Sequence, residues 1–114
     1  IHPMAQMMAE AGQEALKQGK FWQFHKEVMA DNSRLDQDTV MERAKKAGMD
    51  VKALKDALEK HTHAAAVAAQ RKAGEKAGVK GTPSVFINGH AFVPQTGFSA
   101  NTFRSAVRRL LGTR

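Results

Sequence analysis

The chain has 114 residues, 42% of them hydrophobic and 25% charged, a formal charge of +7 and no cysteine. That length suits one domain with a single modest core, and no apolar run approaches the roughly 20 residues that a membrane-spanning helix requires. Zero cysteines exclude, within this stretch, a disulfide framework, a thiolate-ligated zinc, a thiol nucleophile and a CxxC pair. The excess of positive charge raises the question of a polyanionic partner. Lys45, Lys46, Lys52, Lys55, Lys60, Lys72 and Lys76, however, are interleaved with Glu42, Asp56, Glu59 and Glu75, the pattern of a solvated helix face, and no nucleic-acid partner is expected. The opening Ile1-His2-Pro3 has neither the basic region nor the apolar stretch of a secretory signal, so the chain is expected to begin inside a longer precursor.

The elements follow in order. After Pro3, a favoured first-turn residue, Met4, Met8, Ala11 and Ala15 recur at helical spacing, and Gly19 ends the helix. These methionines read as core filler rather than a metal box. A second helix places Phe21, Phe24, His25 and Val28 on one face, with Trp22 and Met29 beside it; its aromatics are expected to anchor the core, with His25 at the core edge, hydrogen-bonded at its ring. Asp31-Asn32-Ser33 is a break. Asp36 caps a third helix with Val40, Ala44 and Ala47 inward, stopped by Gly48, and Asp50 caps a fourth bearing Leu54, Ala57 and Leu58, interrupted near His61-Thr62-His63. Thr62 is the expected cap of a fifth, alanine-rich helix running to Ala77, whose small residues suit close approach to a neighbour.

The period then changes. Ser84 to Ile87 and His90 to Val93 flank Asn88-Gly89, the strongest short-range signal for a type I′ hairpin turn. Ser99 opens a last helix whose Phe103, Ala106, Val107, Leu110 and Leu111 form one apolar stripe, with Arg104, Arg108 and Arg109 outside it. An isolated hairpin is marginal in water, so this one is expected to need further strands or to pair with a second copy through its open edge.

Three stretches carry a family resemblance. His2-Pro3, a small-residue helix and Gln18-Gly19-Lys20-Phe21-Trp22-Gln23-Phe24-His25 are similar to the "QGKFWEFH" run of DsbA-like proteins in the thioredoxin superfamily. Gly78-Val79-Lys80-Gly81-Thr82-Pro83-Ser84-Val85-Phe86-Ile87-Asn88-Gly89 is similar to their "GVxGTPxxFxNG" loop and hairpin, and Gly97 with the closing helix completes the likeness. The resemblance covers nearly the whole chain. It implies an α/β fold that is predominantly helical over this stretch: an incomplete thioredoxin-like, DsbA-type fold with a helical insertion, one β-hairpin and a terminal helix. Residues 1–114 then form a single partial domain, with the helical region at 1–77 and the cis-proline loop, hairpin and final helix at 78–114.

Functionally, the resemblance implies part of a periplasmic or otherwise exported bacterial thiol–disulfide oxidoreductase or isomerase acting on protein substrates that carry thiols or disulfides, with no cofactor. Thr82 and Pro83 match the family's cis-proline loop, where the backbone of the residue before proline meets an extended substrate strand. The departure is the missing CxxC, which family members carry ahead of the position of His2-Pro3; without it the chain is expected to be redox-inactive alone. The alternative is a redox-dead peptide-binding or chaperone-like module. A weaker one is polyanion binding through Arg104, Arg108, Arg109 and Arg114. No metal site is expected: His61 and His63 are two apart, which on a helix gives different faces, and no HExxH accompanies them. No phosphate loop, Ser–His–Asp signature or paired-carboxylate motif supports a nucleotide-binding or hydrolytic function.

Overall fold

A computed structural model describes residues 4–30, 36–81 and 83–112. Among them the order is α1 (Ala5–Lys17), α2 (Phe21–Ala30), α3 (Gln37–Lys46), α4 (Val51–Glu59), α5 (Ala64–Lys76), β1 (Val85–Ile87), β2 (His90–Phe92) and α6 (Ala100–Leu110). This is the mostly helical arrangement with one hairpin that the sequence implies. The chain separates into two compact units, Ile1–Gly74 and Glu75–Arg114, the boundary falling in the last turn of α5. The expected boundary lies at residue 77. Expectations for Pro3, for the break at Asp31-Asn32-Ser33 and for Thr82 fall outside the described residues.

In the first unit α1 packs on α2 and α4, and α3 packs on α2 and α4, so four helices close around one core. Their apolar spacing explains it: Ala11 and Ala15 from α1, Phe24 and Val28 from α2, Val40 and Ala44 from α3 and Leu54 from α4 are all buried. Small alanines let the helices approach, while Leu54 and Val40 are the largest side chains fully withdrawn from solvent. Burying one such branched side chain contributes about 1.5–3 kcal/mol. Asp36 accepts from the Thr39 N–H at 2.8 Å and Asp50 from the Ala53 N–H at 3.1 Å, each satisfying a first-turn donor that has no partner within its helix.

Two expectations are corrected here. Trp22 is 73% exposed, so Phe24 rather than the indole holds the core side of α2. The reason is phase: Phe24 and Val28 are four apart on the inward face, and Trp22 lies off it. The fifth helix begins at Ala64, leaving His63 immediately before it and Thr62 in the preceding turn, and no residue of α5 is buried.

In the second unit β1 and β2 are antiparallel, with Val85 opposite Phe92, Phe86 opposite Ala91 and Ile87 opposite His90. Asn88 and Gly89 have φ of +51° and +79°, the paired left-handed conformation that a type I′ turn demands. Ser99 and Thr102 cap α6 reciprocally, side chain to backbone in both directions. Phe92, Phe98 and Phe103 pack together with ring centroids 5.0 to 5.9 Å apart, fastening strand to helix.

Candidate functional site

Among the described residues, each unit holds a place that combines polar chemistry with shape. In the second, Gly78 takes φ of +95° and turns the chain out of α5 towards Gly81 and Pro83. The Ser84 hydroxyl donates to the Gly81 carbonyl, closing the loop just before β1. Beside it lies an open groove of about 490 Å³, lined by Pro83, Val85, Phe86, Phe92, Val93 and Phe98 among others. Phe86, Val93 and Phe98 are exposed. Of the two predicted site residues, Pro83 is therefore an exposed part of this groove, while Thr82 lies outside the described residues. Arg104, Arg108 and Arg109 are exposed on α6, Arg104 donating to Asn101 at 3.0 Å, and Arg114 lies outside the described residues.

The other place was not anticipated. Glu10 and Glu14 sit one turn apart on α1 and are each only 3% exposed. The His63 ring Nε2 meets a Glu14 carboxylate oxygen at 2.8 Å, and the His61 ring Nδ1 meets Glu10 at 3.3 Å. The other oxygens accept from nearby glutamines, Glu14 from Gln18, the residue that caps the end of α1, at 2.6 Å and Glu10 from Gln6 within α1 at 3.2 Å. Gln18 also exchanges hydrogen bonds with the Asp50 backbone, accepting from its N–H at 2.8 Å and donating to its carbonyl at 3.3 Å. Thus α4 is tied to α1 at its cap by Gln18 and beyond its far end by the histidines. Burial raises the Glu14 carboxyl, but hydrogen bonds from His63 and Gln18, with the charges of Lys17 and His63, outweigh burial and hold it below the ordinary carboxylate value.

His61 and His63 lie in a turn rather than on a helix, so the two-apart argument against their acting together does not apply, and both reach α1. The missed signal was Glu10 and Glu14 falling between Met7, Met8, Ala11 and Ala15, at a spacing that puts both carboxylates beside the apolar stripe. His25, expected at the core edge, is exposed and stacks on Phe21 at 6.0 Å with its edge to Trp22. Among the described residues no three His, Cys, Asp or Glu side chains are placed to hold a metal ion, and no helix is long and apolar enough to cross a membrane.

With the geometry established, comparison with known proteins adds the following. A family model described as a DSBA-like thioredoxin domain matches residues 2–107. The chain is 33% identical over 89 residues to the Na(+)/H(+) antiporter NhaA 3 of Salinispora tropica, and 30% identical over 89 residues to the Na(+)/H(+) antiporter NhaA 1 of Salinispora arenicola. Each alignment takes in 78% of this chain but only 14% of the relative. No solved structure matches.

Proposed function

This chain belongs to the DSBA-like thioredoxin domain family, and from that membership we propose that it forms the substrate-holding part of a protein thiol–disulfide oxidoreductase or isomerase. Exchange requires a thiolate and a surface that presents the partner's disulfide to it. The sequence holds no cysteine, so the chain supplies no nucleophile and its contribution is the surface. In this reading the reacting CxxC belongs to sequence outside the chain, Pro83 is cis, and the Thr82 backbone pairs with an extended segment of a thiol- or disulfide-bearing protein.

The observation that carries the reading is the groove beside Pro83, where Phe86 of β1 is exposed together with Val93 and Phe98, on a sheet that has two strands among the described residues. An unfolded peptide containing one cysteine, titrated into the protein, is expected to shift the backbone resonances of Lys80, Gly81, Val85 and Phe86. Pro83→Ala is expected to weaken that binding at least about fivefold, roughly 1 kcal/mol. Shifts confined to residues 1–74, or unchanged affinity in the variant, would end the reading.

The absence of cysteine also favours a second reading, a redox-inactive peptide-binding or chaperone-like module. Counting alkylated thiols by mass spectrometry on the native polypeptide separates the two. Two reactive thiols from a CxxC support the oxidoreductase, and none supports the module. The oxidoreductase reading places the protein in a periplasmic or other exported compartment, where disulfides persist. It also allows self-association through the open hairpin edge; a concentration-independent monomer by light scattering counts against that. No transport role is proposed, since the alignment takes in only 14% of either antiporter.

A further inference from the structure

The positive charge of the chain is unevenly placed. Residues 1–74 hold twelve lysines and arginines against ten acidic residues, a near balance, whereas residues 75–114 hold six against one. That one is Glu75, at the boundary, so nothing from Lys76 to Arg114 carries a negative side chain. The interleaving of signs that marks a solvated helix face in the first unit is therefore absent from the second. Charge of one sign gathered in this way sets up a field that draws in anions and disfavours cations.

Two clefts of the second unit lie in that field. The groove beside Pro83 is lined by Lys80 as well, an exposed residue. A further open cleft, of about 590 Å³, is lined by the stretch that leaves β2, Phe92 to Thr96, and by Asn101, Ser105 and Arg109 of α6. These three recur every four residues, the spacing that aligns them along one side of a helix. Phe92 and Val93 line both clefts. Each cleft thus offers a cation, Lys80 in one and Arg109 in the other, beside a shared apolar wall. Among the described residues no acidic side chain lines either.

We propose that the segments this surface holds are acidic: extended stretches of a thiol- or disulfide-bearing protein in which an apolar residue is flanked by aspartate or glutamate. The proposal rests on the groove beside Pro83 being the substrate surface, and adds which substrates it takes. The apolar residue covers Phe92, Val93 and the exposed Phe86, while the carboxylates face Lys80 and Arg109. One exposed ion pair contributes little, so the preference comes from both cations and the unopposed field acting together. Salt weakens it by shortening the reach of charge, to about 10 Å at 0.1 M and about 3 Å at 1 M. A basic segment meets the same cations with no acidic group to offset them and is turned away.

The test uses fluorescent peptides of one length, each with a single cysteine and the same apolar residue, whose flanking positions are glutamate, glutamine or lysine. At low salt the glutamate peptide is expected to bind the whole chain at least about fivefold more tightly than the glutamine peptide, and the lysine peptide more weakly than either. Bound glutamate peptide is expected to shift the backbone resonances of Gly81, Val85 and Phe86. In about 1 M salt the glutamate and glutamine peptides are expected to agree within about twofold. Replacing both exposed cations, Lys80→Gln with Arg109→Gln, is expected to bring the glutamate peptide down to the affinity of the glutamine peptide, whose own binding stays unchanged. Equal affinity of all the peptides, with shifts at the groove, overturns the charge preference and leaves the groove reading standing; failure of every peptide to bind overturns both. Binding of phosphatidylglycerol vesicles but of no acidic peptide gives the surface to a lipid, and broadening of the groove resonances as protein concentration alone rises gives it to a second copy. Either result also overturns the proposal.

Discussion

The units on either side of Gly74 use the same devices at their helix ends and have opposite interiors. Both cap helices with side-chain oxygens, Asp36 and Asp50 in the first and Ser99 in the second. Among the described residues the first buries ten apolar ones between Ala11 and Ala57, while the second buries none. Caps and an Asn-Gly turn act over a few residues and set local shape wherever they occur. A core needs apolar faces from several elements, and a segment of about 40 residues seldom supplies them unaided. The second unit accordingly presents its apolar side chains as surface, Phe86, Phe98, Val107 and Leu110 among them.

The largest effect that tests this contrast is Leu54→Ala, which empties a fully buried site and is expected to cost the first unit about 2–5 kcal/mol in denaturant unfolding followed by far-ultraviolet circular dichroism. An equal loss of hairpin amide protection would show that the two units unfold together. Glu14→Ala is next, at about 1.5–3 kcal/mol near neutral pH, because it removes hydrogen bonds to a charged group. Its pH dependence has a definite sign. The folded carboxyl lies below its ordinary value of 4.5, so the unfolded chain takes up the proton first and stability rises with pH through that range. The contribution is complete above about pH 4.5 and is lost as pH falls through the lowered value, so the deficit of the variant narrows on acidification. Phe103→Ala removes two aromatic contacts and is expected to cost about 1–3 kcal/mol, read as faster amide exchange at Val85 to Phe92 with the unfolding midpoint of the helices unchanged. Ser99→Ala is smallest, about 1 kcal/mol, confined to fraying at the start of α6.

Where the structure follows the sequence, the signals are local. Asp36, Asp50 and Ser99 cap the helices assigned to them, and Gly19, Gly48 and Gly78 adopt the left-handed conformation of helix ends. Where it departs, the deciding partner lies far along the chain. Trp22 reads as core by its size, yet the inward phase of α2 is set by α1 and α3. His61 and His63 show no partner in their own neighbourhood of the sequence, since Glu10 and Glu14 stand 51 and 49 residues away. Helical periodicity shows that two carboxylates lie beside an apolar stripe; it does not show which turn will cover them. The Pro83 loop was legible only through the family motif, because Gly-x-Pro alone describes many turns.

The ties between α1 and α4 also bear on the order of assembly. The hairpin pairs residues no more than seven apart, from Val85 to Phe92, and such structures close in about 1–10 μs. The histidine bonds close loops of 51 and 49 residues, and the entropy of closing so long a loop is expected to make them form late. Contacts completed after the rate-limiting step slow unfolding without hastening folding. Loss of either histidine is therefore expected to shorten the lifetime of the folded helices while leaving the time they take to form unchanged.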